Sequence, residues 1–503
     1  MKSQDRKAGQ DQSAKKYRIA IVGAGPGGIC MAIKLKQAGI EDFVILERAA
    51  GAGGTWFNNR YPGLSCDIPS HLYSFSFEQK PDWSRPYAGH AEIKVYMQHC
   101  VDKYAVAPHI RFSTGIASAR WDDAQCEWHL DTTDGRSIVA DVFVSALGMF
   151  NEIQWPEIAG LKDFAGPVLH TAQWPEGVDL RGKTVAMIGS AASAVQLVPE
   201  VAKEAKQLYL YQRTANWVLP KEDTPYSAEQ LEQMRRDPSI GRKIRDEQFA
   251  FYELLMTFDK PELMPGIEQM GRDNLAHVAD PDTRARLKPQ LPLGSQRPLF
   301  SNEFYPAFNR PNVALVTDPI EKLTASGVRT KDGVERKVDV VILATGYAAN
   351  KFLSVIDVSG RNGVSLRDAW RDGPQAYLGI TTAGFPNLFM FYGPNTNNGS
   401  ILYMLESQAD YISRKVDEMG TNGIRSMDVR QDVMDDYNAA IQRDINAVEV
   451  WRVVGSKYYR SASGRVVTQW PHNMTTYRER TSVPDLEAFQ TLKAQEAGTL
   501  TKV

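Results

Sequence analysis

Two glycine-containing turns constrain the fold of this 503-residue chain more than any other feature. In the first, an apolar run at residues 19–22 leads into the motif Gly-Ala-Gly-Pro-Gly-Gly at residues 23–28. A stretch with helical periodicity follows at residues 29–37, and a second apolar run occupies Phe43–Leu46. Apolar runs that flank a glycine turn and a helix-period stretch predict a strand–helix–strand (βαβ) unit.

A second unit of the same kind begins about 165 residues further along the chain. Its apolar runs lie at Thr184–Ile188 and at residues 208–211, on either side of the motif at residues 189–194. Two such units so far apart predict two nucleotide-binding domains rather than a short tandem repeat. Two strand-like runs that end in small-residue turns, at residues 141–150 and 339–347, are predicted to be the joints between these domains.

The region between the second unit and the second joint differs in composition. Residues 227–287 are rich in Glu, Arg, Gln, Leu and Met, which predicts a helical insertion. We therefore predict an α/β fold with two Rossmann-like, three-layer dinucleotide-binding domains of the FAD/NAD(P) type and a helical insertion. The predicted division is a disordered leader at residues 1–16, a discontinuous first domain at 17–149 and 348–503, a second domain at 150–220 and 297–347, and the insertion at 221–296.

The first glycine motif has the setting that a dinucleotide site requires. Gly23, Gly25 and Gly28 follow a predicted strand and precede a predicted helix, so the backbone can approach a pyrophosphate at the helix N-terminus. Glu47 ends the second strand 24 residues after Gly23, where a carboxylate can accept hydrogen bonds from ribose hydroxyls. The motif alone does not distinguish FAD from NAD.

The second motif departs from the usual pattern, because it reads GxAxxA. Ala191 stands where a glycine normally lets the backbone close on the pyrophosphate, and we expect weaker nucleotide binding as a result. Arg213 occupies the strand end where the first unit has Glu47, and a cation there favours the 2′-phosphate of NADP(H) over the bare ribose of NAD(H). The nucleotide-contacting residues predicted in this unit are Gly189, Ser190, Ala191, Ser193, Ala194, Arg213 and Thr214.

Composition excludes several classes of function. The formal net charge of −2 gives no indication of nucleic acid or an anionic membrane as a partner, and no run of 18 or more apolar residues predicts a membrane span. The cysteines form neither a CxxC pair nor a zinc pattern, so we expect no metal site and no disulfide framework. A large chain with only four cysteines fits a reducing cytoplasm. The oligomeric state does not follow from composition.

The segment at residues 164–177, FAGPVLHTAQWPEG, carries the most specific signal in the chain. It matches the pattern FxGxxxHxxxWP at Phe164, Gly166, His170, Trp174 and Pro175. This pattern resembles the signature of type I Baeyer–Villiger monooxygenases, which are class B flavoprotein monooxygenases. In such an enzyme the segment links two domains that change their relative orientation. A lone histidine there is expected to be a hydrogen-bonding tether rather than a proton donor.

The resemblance extends over about residues 17 to 485 and implies particular cofactors. Thr55 and Trp56, which follow a glycine pair soon after Glu47, resemble the FAD site of this class of monooxygenases. The first domain is therefore expected to bind FAD and the second NADPH. The implied reaction converts a small-molecule ketone and O₂ into an ester or lactone through a flavin C4a-peroxide.

The resemblance also implies the catalytic pair. The family's arginine lies in a stretch like residues 294–315, where the arginine before proline is Arg297, and its orienting aspartate follows a segment like residues 60–63, which gives Asp67. Arg297 would stabilise the negative oxygen of the tetrahedral adduct. The family often has lysine before this arginine, whereas this chain has Gln296. The difference implies looser NADPH binding, a larger share of that binding for Arg213 and Thr214, or weaker discrimination against NADH.

The substrate side is less determined. The segment at residues 393–406 resembles a loop that lines flavin and substrate in relatives, and a segment near the C-terminus resembles their closing loop. The substrate-lining residues expected from these resemblances are Asn398, Gly399, Ser400, Ile401, Leu402 and Tyr458.

Three other functions share parts of this pattern. A flavin monooxygenase that acts mainly on sulfur or nitrogen would not need a cation for a tetrahedral intermediate. A pyridine nucleotide–disulfide reductase would need a redox-active cysteine pair, which the cysteine spacing does not provide. A non-catalytic nucleotide-binding flavoprotein is favoured only by the departures at Ala191 and Gln296.

Overall fold

A computed structural model describes residues 15–452 and 459–494. Within these residues the chain forms twenty strands, most of them short and parallel to a neighbour. The strands are β1 (Lys15–Val22), β2 (Phe43–Leu46), β3 (Ile110–Arg111), β4 (Ile116–Asp122), β5 (Glu127–Thr132), β6 (Ser137–Ser145), β7 (Val168–His170), β8 (Thr184–Ile188), β9 (Gln207–Tyr211), β10 (Val218–Leu219), β11 (Leu299–Phe300), β12 (Val313–Val316), β13 (Ile320–Thr324), β14 (Gly327–Thr330), β15 (Glu335–Lys337), β16 (Val340–Leu343), β17 (Asp357–Ser359), β18 (Leu388–Met390), β19 (Ile424–Val429) and β20 (Phe489–Lys493).

The same residues form fourteen α-helices. They are α1 (Pro26–Gln37), α2 (Thr55–Asn58), α3 (His90–Lys103), α4 (Ala192–Glu204), α5 (Ala228–Arg236), α6 (Pro238–Leu255), α7 (Met264–Leu275), α8 (Pro281–Leu287), α9 (Phe304–Ala307), α10 (Leu366–Ala369), α11 (Ile401–Thr421), α12 (Gln431–Ala447), α13 (Glu449–Arg452) and α14 (Met474–Ser482). Among the described residues, none of these helices is both long enough and apolar enough to cross a membrane.

The first sheet runs in the order β17-β4-β5-β6-β1-β2-β3, with β18 added to β6. Its central strands are parallel and apolar on both faces, because both faces are covered. Ile19 and Ile21 of β1 pack into the core shared with helices α1 and α11, whereas Ala20 and Val22 pack into a second core with β4, β5 and residues 352–366. This alternation produces the three layers predicted from the continuous apolar run.

The second sheet is wholly parallel and runs in the order β12-β9-β8-β16-β7. Val185 and Met187 of β8 face one core, and Ala186 and Ile188 face another. A three-stranded antiparallel sheet, β13-β14-β15, joins the second of these cores. The prediction of an α/β fold with two Rossmann-like units is therefore confirmed.

The helical insertion consists of α5 to α8 and lies between β10 and β11. These two strands pair in parallel, Val218 with Leu299, so the insertion leaves and re-enters the second domain at neighbouring points. Its helix α6 lies against the first domain. Arg245 donates from one guanidinium nitrogen to the carbonyl oxygens of His71, Leu72 and Ser74, at 2.9 to 3.1 Å.

The predicted domain limits are supported by sheet membership in part. Strands of the first sheet come from residues 15–145 and 357–390, and strands of the second from residues 168–343, so we retain those limits as a proposal. The predicted leader is too long, because β1 begins at Lys15 and Lys16 pairs with Glu127 and Asp141. Residues 1–14 lie outside the described residues.

The hydrogen bonds of Arg245 predict that this residue attaches the insertion to the first domain. Replacing it by leucine leaves three carbonyl groups without their charged donor, and Arg245→Leu should lower the free energy of unfolding by roughly 2–4 kcal/mol. Arg242 lies exposed on the same helix, and Arg242→Leu should change that free energy by less than about 0.5 kcal/mol. Urea titrations of both variants measure the free energy of unfolding. Equal changes in the two variants would contradict the role of Arg245 in attaching the insertion.

Candidate active site

A cleft of about 1970 Å³ lies where the two sheets and the insertion meet. Both glycine turns open into it, as do the strand ends that follow each βαβ unit. A crevice at the carboxyl ends of parallel strands is where folds of this type bind nucleotides. The predicted site residues that line it are Gly23, Gly25, Glu47, Thr55, Trp56, Asp67, Gly189, Ser190, Ala191, Ser193, Arg213, Thr214, Arg297, Asn398, Gly399 and Ile401.

The first turn is built so that helix α1 presents its N-terminus to the cleft. Gly23 has φ +110°, and a Cβ atom there would lie 2.6 Å from the carbonyl oxygen of Ala146. Gly25 is the N-cap of α1 and provides no side-chain cap for the helix. The N–H groups of the first turn therefore suit an anion. Gly28 lies outside the cleft lining, directly beneath Gly23, where a Cβ would be 1.9 Å from its carbonyl oxygen.

Glu47 is buried at the end of β2, and both of its carboxylate oxygens accept backbone hydrogen bonds. One accepts from the N–H of Ala24 and the other from the N–H of Ala49, each at 2.7 Å. These bonds hold the carboxylate beside the glycine turn, where hydroxyl groups of a ribose can reach it. Together with the open helix N-terminus, this arrangement fits the diphosphate and ribose of a dinucleotide.

Thr55 and Trp56 belong to the short helix α2, which lies beside the same turn. The N–H of Gly53 donates to the carbonyl oxygen of Ala24 at 2.8 Å, so the segment at residues 51–56 is tied to the first motif. The indole N–H of Trp56 donates to the hydroxyl of Tyr73 at 3.1 Å. Trp56 and Tyr73 thus form one wall of the cleft on the side of the first domain.

The second turn repeats the first almost without change. Gly189 has φ +109°, and a Cβ there would lie 2.4 Å from the carbonyl oxygen of Ala344. Ala191 is the N-cap of α4, with φ −90° and ψ −162°, close to the −77° and −173° of Gly25. Alanine adopts these extended angles without strain. The departure at Ala191 therefore leaves the turn undistorted and adds only a methyl group at the cleft.

The strand end after β9 provides the cation expected there. Arg213 is exposed at the cleft, and Thr214 follows it. Ser190 donates from its hydroxyl to the carbonyl oxygen of Thr214 at 3.2 Å, and the amide of Asn216 donates to the carbonyl oxygen of Ser190 at 3.0 Å. Ala194 is fully buried and does not belong to the lining of the cleft.

Asp67 and Arg297 meet in the cleft although they lie 230 positions apart in the sequence. An Nη atom of Arg297 lies 3.3 Å from Oδ2 of Asp67, where the Asp67 side chain is 8% exposed and that of Arg297 is 44% exposed. A buried carboxylate thus holds one end of an exposed cation. The guanidinium is both oriented and accessible, as a group that must reach a substrate should be.

Three further side chains hold the Asp67 segment, and sequence analysis missed all of them. Gln196 of α4 donates to Oδ1 of Asp67 at 3.5 Å, Lys221 places its Nζ 4.0 Å from the same oxygen, and Tyr252 of α6 donates to the Asp67 carbonyl oxygen at 3.2 Å. Each comes from another part of the chain. No local pattern marks them, because their contacts with Asp67 exist only after the domains pack together.

The thiol and phenol groups around this pair are held in their neutral forms. Burial raises the pKa of the Cys66 thiol to about 12, and burial likewise raises the pKa of Tyr61 and of Tyr73 well above the ordinary value of a tyrosine. All four cysteines are buried and free. Within residues 15–452 and 459–494, no group of three or more His, Cys, Asp or Glu side chains is placed to hold a metal ion.

The segment at residues 164–177 lies outside the cleft lining and connects parts of the second domain. Phe164 and Trp174 are buried, Gly166 lies against the carbonyl group of Asp339, and Pro175 is exposed. None of these four residues belongs to the lining of the cleft.

His170 ends strand β7, which pairs with β16. Its Nδ1 accepts from the N–H of Ala172 at 3.0 Å, so the proton of the neutral ring lies on Nε2, 3.1 Å from the hydroxyl of Thr345. Thr345 in turn donates to the carbonyl oxygen of Gln154 at 2.7 Å. His170 thereby ties the second predicted joint, which contains Thr345, to Gln154 just after the first joint, which supports the proposed role of a tether.

The substrate-lining prediction needs correction at two positions. Ser400 is fully buried and donates to the carbonyl oxygen of Leu72, and Leu402 is fully buried in the core. Both point away from the cleft because they begin helix α11, whose buried face packs on the first domain. Tyr458 lies outside the described residues.

Comparison with known proteins finds the same architecture elsewhere. The sequence model of the family described as pyridine nucleotide-disulphide oxidoreductase matches residues 20–245. A Baeyer-Villiger monooxygenase of Pseudomonas aeruginosa is 39% identical over 485 residues, covering 95% of this chain and 92% of that protein. The structure of cyclohexanone monooxygenase from Rhodococcus sp. Phi1 bound to NADP⁺ has a TM-score of 0.87 at 29% identity, over 96% of this chain and 100% of that chain. The OTEMO complex with FAD and NADP has a TM-score of 0.84 at 27% identity, over 95% and 100%.

The buried position of His170 predicts a pH dependence of stability. Burial lowers the pKa of His170 below its ordinary value of 6.5, so below that pH the unfolded chain takes up the proton before the folded chain does. Stability should therefore fall as the pH falls through this region. His170→Gln should flatten the slope in urea titrations between about pH 5 and about pH 8, whereas the control His277→Gln should retain it. An unchanged slope in His170→Gln would contradict the assignment.

Proposed function

The chain belongs to the Baeyer–Villiger monooxygenase family, and we propose that it inserts one atom of O₂ next to a ketone carbonyl to give an ester or a lactone. Its cofactors are FAD and NADPH. When bound, FAD reduced by NADPH would activate O₂, so that one oxygen atom enters the substrate and the other leaves as water. The observation that carries the ketone assignment is the Asp67–Arg297 pair in the cleft.

The residues of the two turns fit these cofactors. Helix α1 and Glu47 would hold the diphosphate and ribose of FAD, with Thr55 and Trp56 alongside the flavin. Helix α4 would hold the diphosphate of NADPH, and Arg213 would bind its 2′-phosphate. Because Gln296 replaces the usual lysine, Arg213 and Thr214 carry more of that recognition in this chain.

Arg297 would stabilise the charge that develops during oxygen insertion. When a nucleophilic oxygen adds to a ketone carbonyl, the carbonyl oxygen becomes negative, and a fixed cation lowers the energy of that state. Arg297 is a permanently charged group at the cleft, and Asp67 fixes the direction of its guanidinium. The buried walls of the cleft keep Asp67 from bulk water, which strengthens the pair.

The competing functions fit the site less well. A disulfide reductase needs a reactive thiolate pair, whereas the free cysteines of this chain are buried and burial raises the pKa of Cys66 to about 12. Oxidation of sulfur or nitrogen does not need the oriented cation at Arg297. If FAD-loaded protein oxidised NADPH yet gave no ester from a panel of cyclic, linear, aryl and steroid ketones, ketone oxidation would be excluded.

The role of Arg297 is tested by its removal. Arg297→Ala should retain reduction of the flavin by NADPH but lower ester formation about 10²- to 10³-fold, because the developing negative charge loses its cation. Anaerobic stopped-flow absorbance measures the first step, and gas chromatography of the products measures the second. Arg310→Ala, an exposed arginine of the same segment, serves as the control. Normal ester yield from Arg297→Ala would refute the assignment.

The role of Arg213 is tested by cofactor preference. Arg213→Ala should raise KM for NADPH about ten- to hundredfold, since one charged hydrogen-bonding contact to the 2′-phosphate is lost. KM for NADH should change little, because that cofactor lacks the phosphate. Steady-state oxidation of both cofactors measures the ratio, with Arg310→Ala again as the control. Equal increases for NADPH and NADH would contradict 2′-phosphate recognition.

A further inference from the structure

The carboxylate of Asp67 has two cations, one near each oxygen. Arg297 lies 3.3 Å from Oδ2, and the ammonium of Lys221 lies 4.0 Å from Oδ1. The two cations differ in exposure: the side chain of Lys221 is 8% exposed, as is that of Asp67, whereas that of Arg297 is 44% exposed. One partner is therefore buried with the carboxylate and the other reaches the cleft.

Lys221 is fixed at both ends. Its backbone N–H donates to the side-chain oxygen of Asn302 at 2.8 Å, and the amide of Asn302 donates back to the Lys221 carbonyl oxygen. Its ammonium donates to the hydroxyl of Ser65 at 2.8 Å and to the carbonyl oxygen of Cys66 at 3.0 Å. The ammonium also lies 4.8 Å from the ring centroid of Tyr87. Lys221 thus has little freedom to leave Asp67.

Both cations flank the same two-stranded sheet, β10-β11. Lys221 follows the end of β10 at Leu219, and Arg297 precedes the start of β11 at Leu299. Because β10 and β11 pair in parallel, the two residues leave the sheet at opposite ends and approach Asp67 from two sides. Each cation then lies nearest a different carboxylate oxygen of Asp67.

Asp67 orients Arg297, but the side chain of Arg297 is 44% exposed, so its guanidinium can still shift towards a ketone carbonyl. If Asp67 had no other cation, each movement of Arg297 towards a ketone would leave a buried carboxylate without a counter-charge, which is strongly unfavourable. Lys221 removes this obstacle because its ammonium stays near Oδ1. Gln196 adds a hydrogen bond to the same oxygen.

We propose that Lys221 is a positioning residue that remains the charge partner of Asp67 while Arg297 turns between Asp67 and the ketone carbonyl. The inference rests on the proposed function of Arg297. The proposed role of Lys221 differs from a purely structural one, in which its ammonium would only tie residues 65 and 66 to the insertion.

The Lys221–Asp67 partnership is tested by a double-mutant cycle on the thermal unfolding of the FAD-loaded protein. Lys221→Met should lower the melting temperature by about 2–4 °C, because Asp67 keeps only the exposed Arg297. In the Asp67→Asn background the same substitution should raise the melting temperature or leave it unchanged, because it then removes a buried ammonium that has lost its counter-charge. Lys206→Met, at an exposed lysine after α4, is the control in both backgrounds.

Equal decreases in the two backgrounds would overturn the proposal, since a structural tie to Ser65 and Cys66 does not depend on the charge of Asp67. If Lys221→Met alone does not fold, the proposal requires that the double variant Asp67→Asn/Lys221→Met folds and binds FAD. Failure of both variants to fold would equally overturn it.

Catalysis provides the second measurement. Lys221→Met should lower kcat for ester formation and the yield of ester per NADPH by about ten- to hundredfold, with a smaller change in KM for the ketone. Lys221→Arg, which keeps the charge, should recover part of the loss. If the unmodified enzyme forms ester and Lys221→Met forms it equally well, the inference about Lys221 fails. If the unmodified enzyme forms no ester from any ketone, the proposed function fails, and the melting cycle still tests the pair.

Discussion

The close approach of a backbone turn to the end of a neighbouring strand organises the whole cleft. At Gly23 and at Gly189 the chain passes so near the carbonyl groups of Ala146 and Ala344 that a Cβ atom would overlap them, at 2.6 and 2.4 Å. Because both turns close by the same contact, α1 and α4 begin at corresponding points of the two sheets. Their N-termini then open on one crevice from opposite domains, where each can hold an anionic group.

The carboxylate of Asp67 joins three parts of the molecule at this crevice. Asp67 belongs to the first domain, Gln196 and Arg297 come from the second, and Lys221 and Tyr252 come from the insertion. Because Arg297 is held in this way, the direction of its guanidinium depends on the relative positions of all three parts.

Much of the fold follows from local patterns. Apolar runs and glycine spacing predict both βαβ units, because a parallel strand covered on both faces needs an unbroken apolar stretch and a tight turn needs glycine. The helical composition of residues 227–287 likewise predicts the insertion. The differences between prediction and structure concern the limits of segments and the direction in which side chains point. The sequence predicts a disordered leader up to residue 16, yet Lys16 lies in β1 and pairs with acids of β5 and β6. The resemblance places Ser400 and Leu402 at the cleft, yet both are fully buried and outside its lining.

The sequence likewise predicts part of the candidate site. Asp67 and Arg297 followed from a resemblance to a family, and the structure brings them within 3.3 Å of each other. The consequence of Ala191 did not follow, because whether a methyl group distorts the turn depends on the backbone angles at that position. Those angles, φ −90° and ψ −162°, admit alanine without strain.

The sequence by itself therefore determined the two nucleotide-binding units, the insertion, the acid at Glu47 and the cation at Arg213, since each depends on residues close together in the chain. The tertiary structure alone decided which side chains surround Asp67. Lys221, Gln196 and Tyr252 lie more than a hundred positions from it, and no local periodicity reports a contact of that kind. Such contacts arise only when the apolar faces of separate units pack and bring their polar edges together.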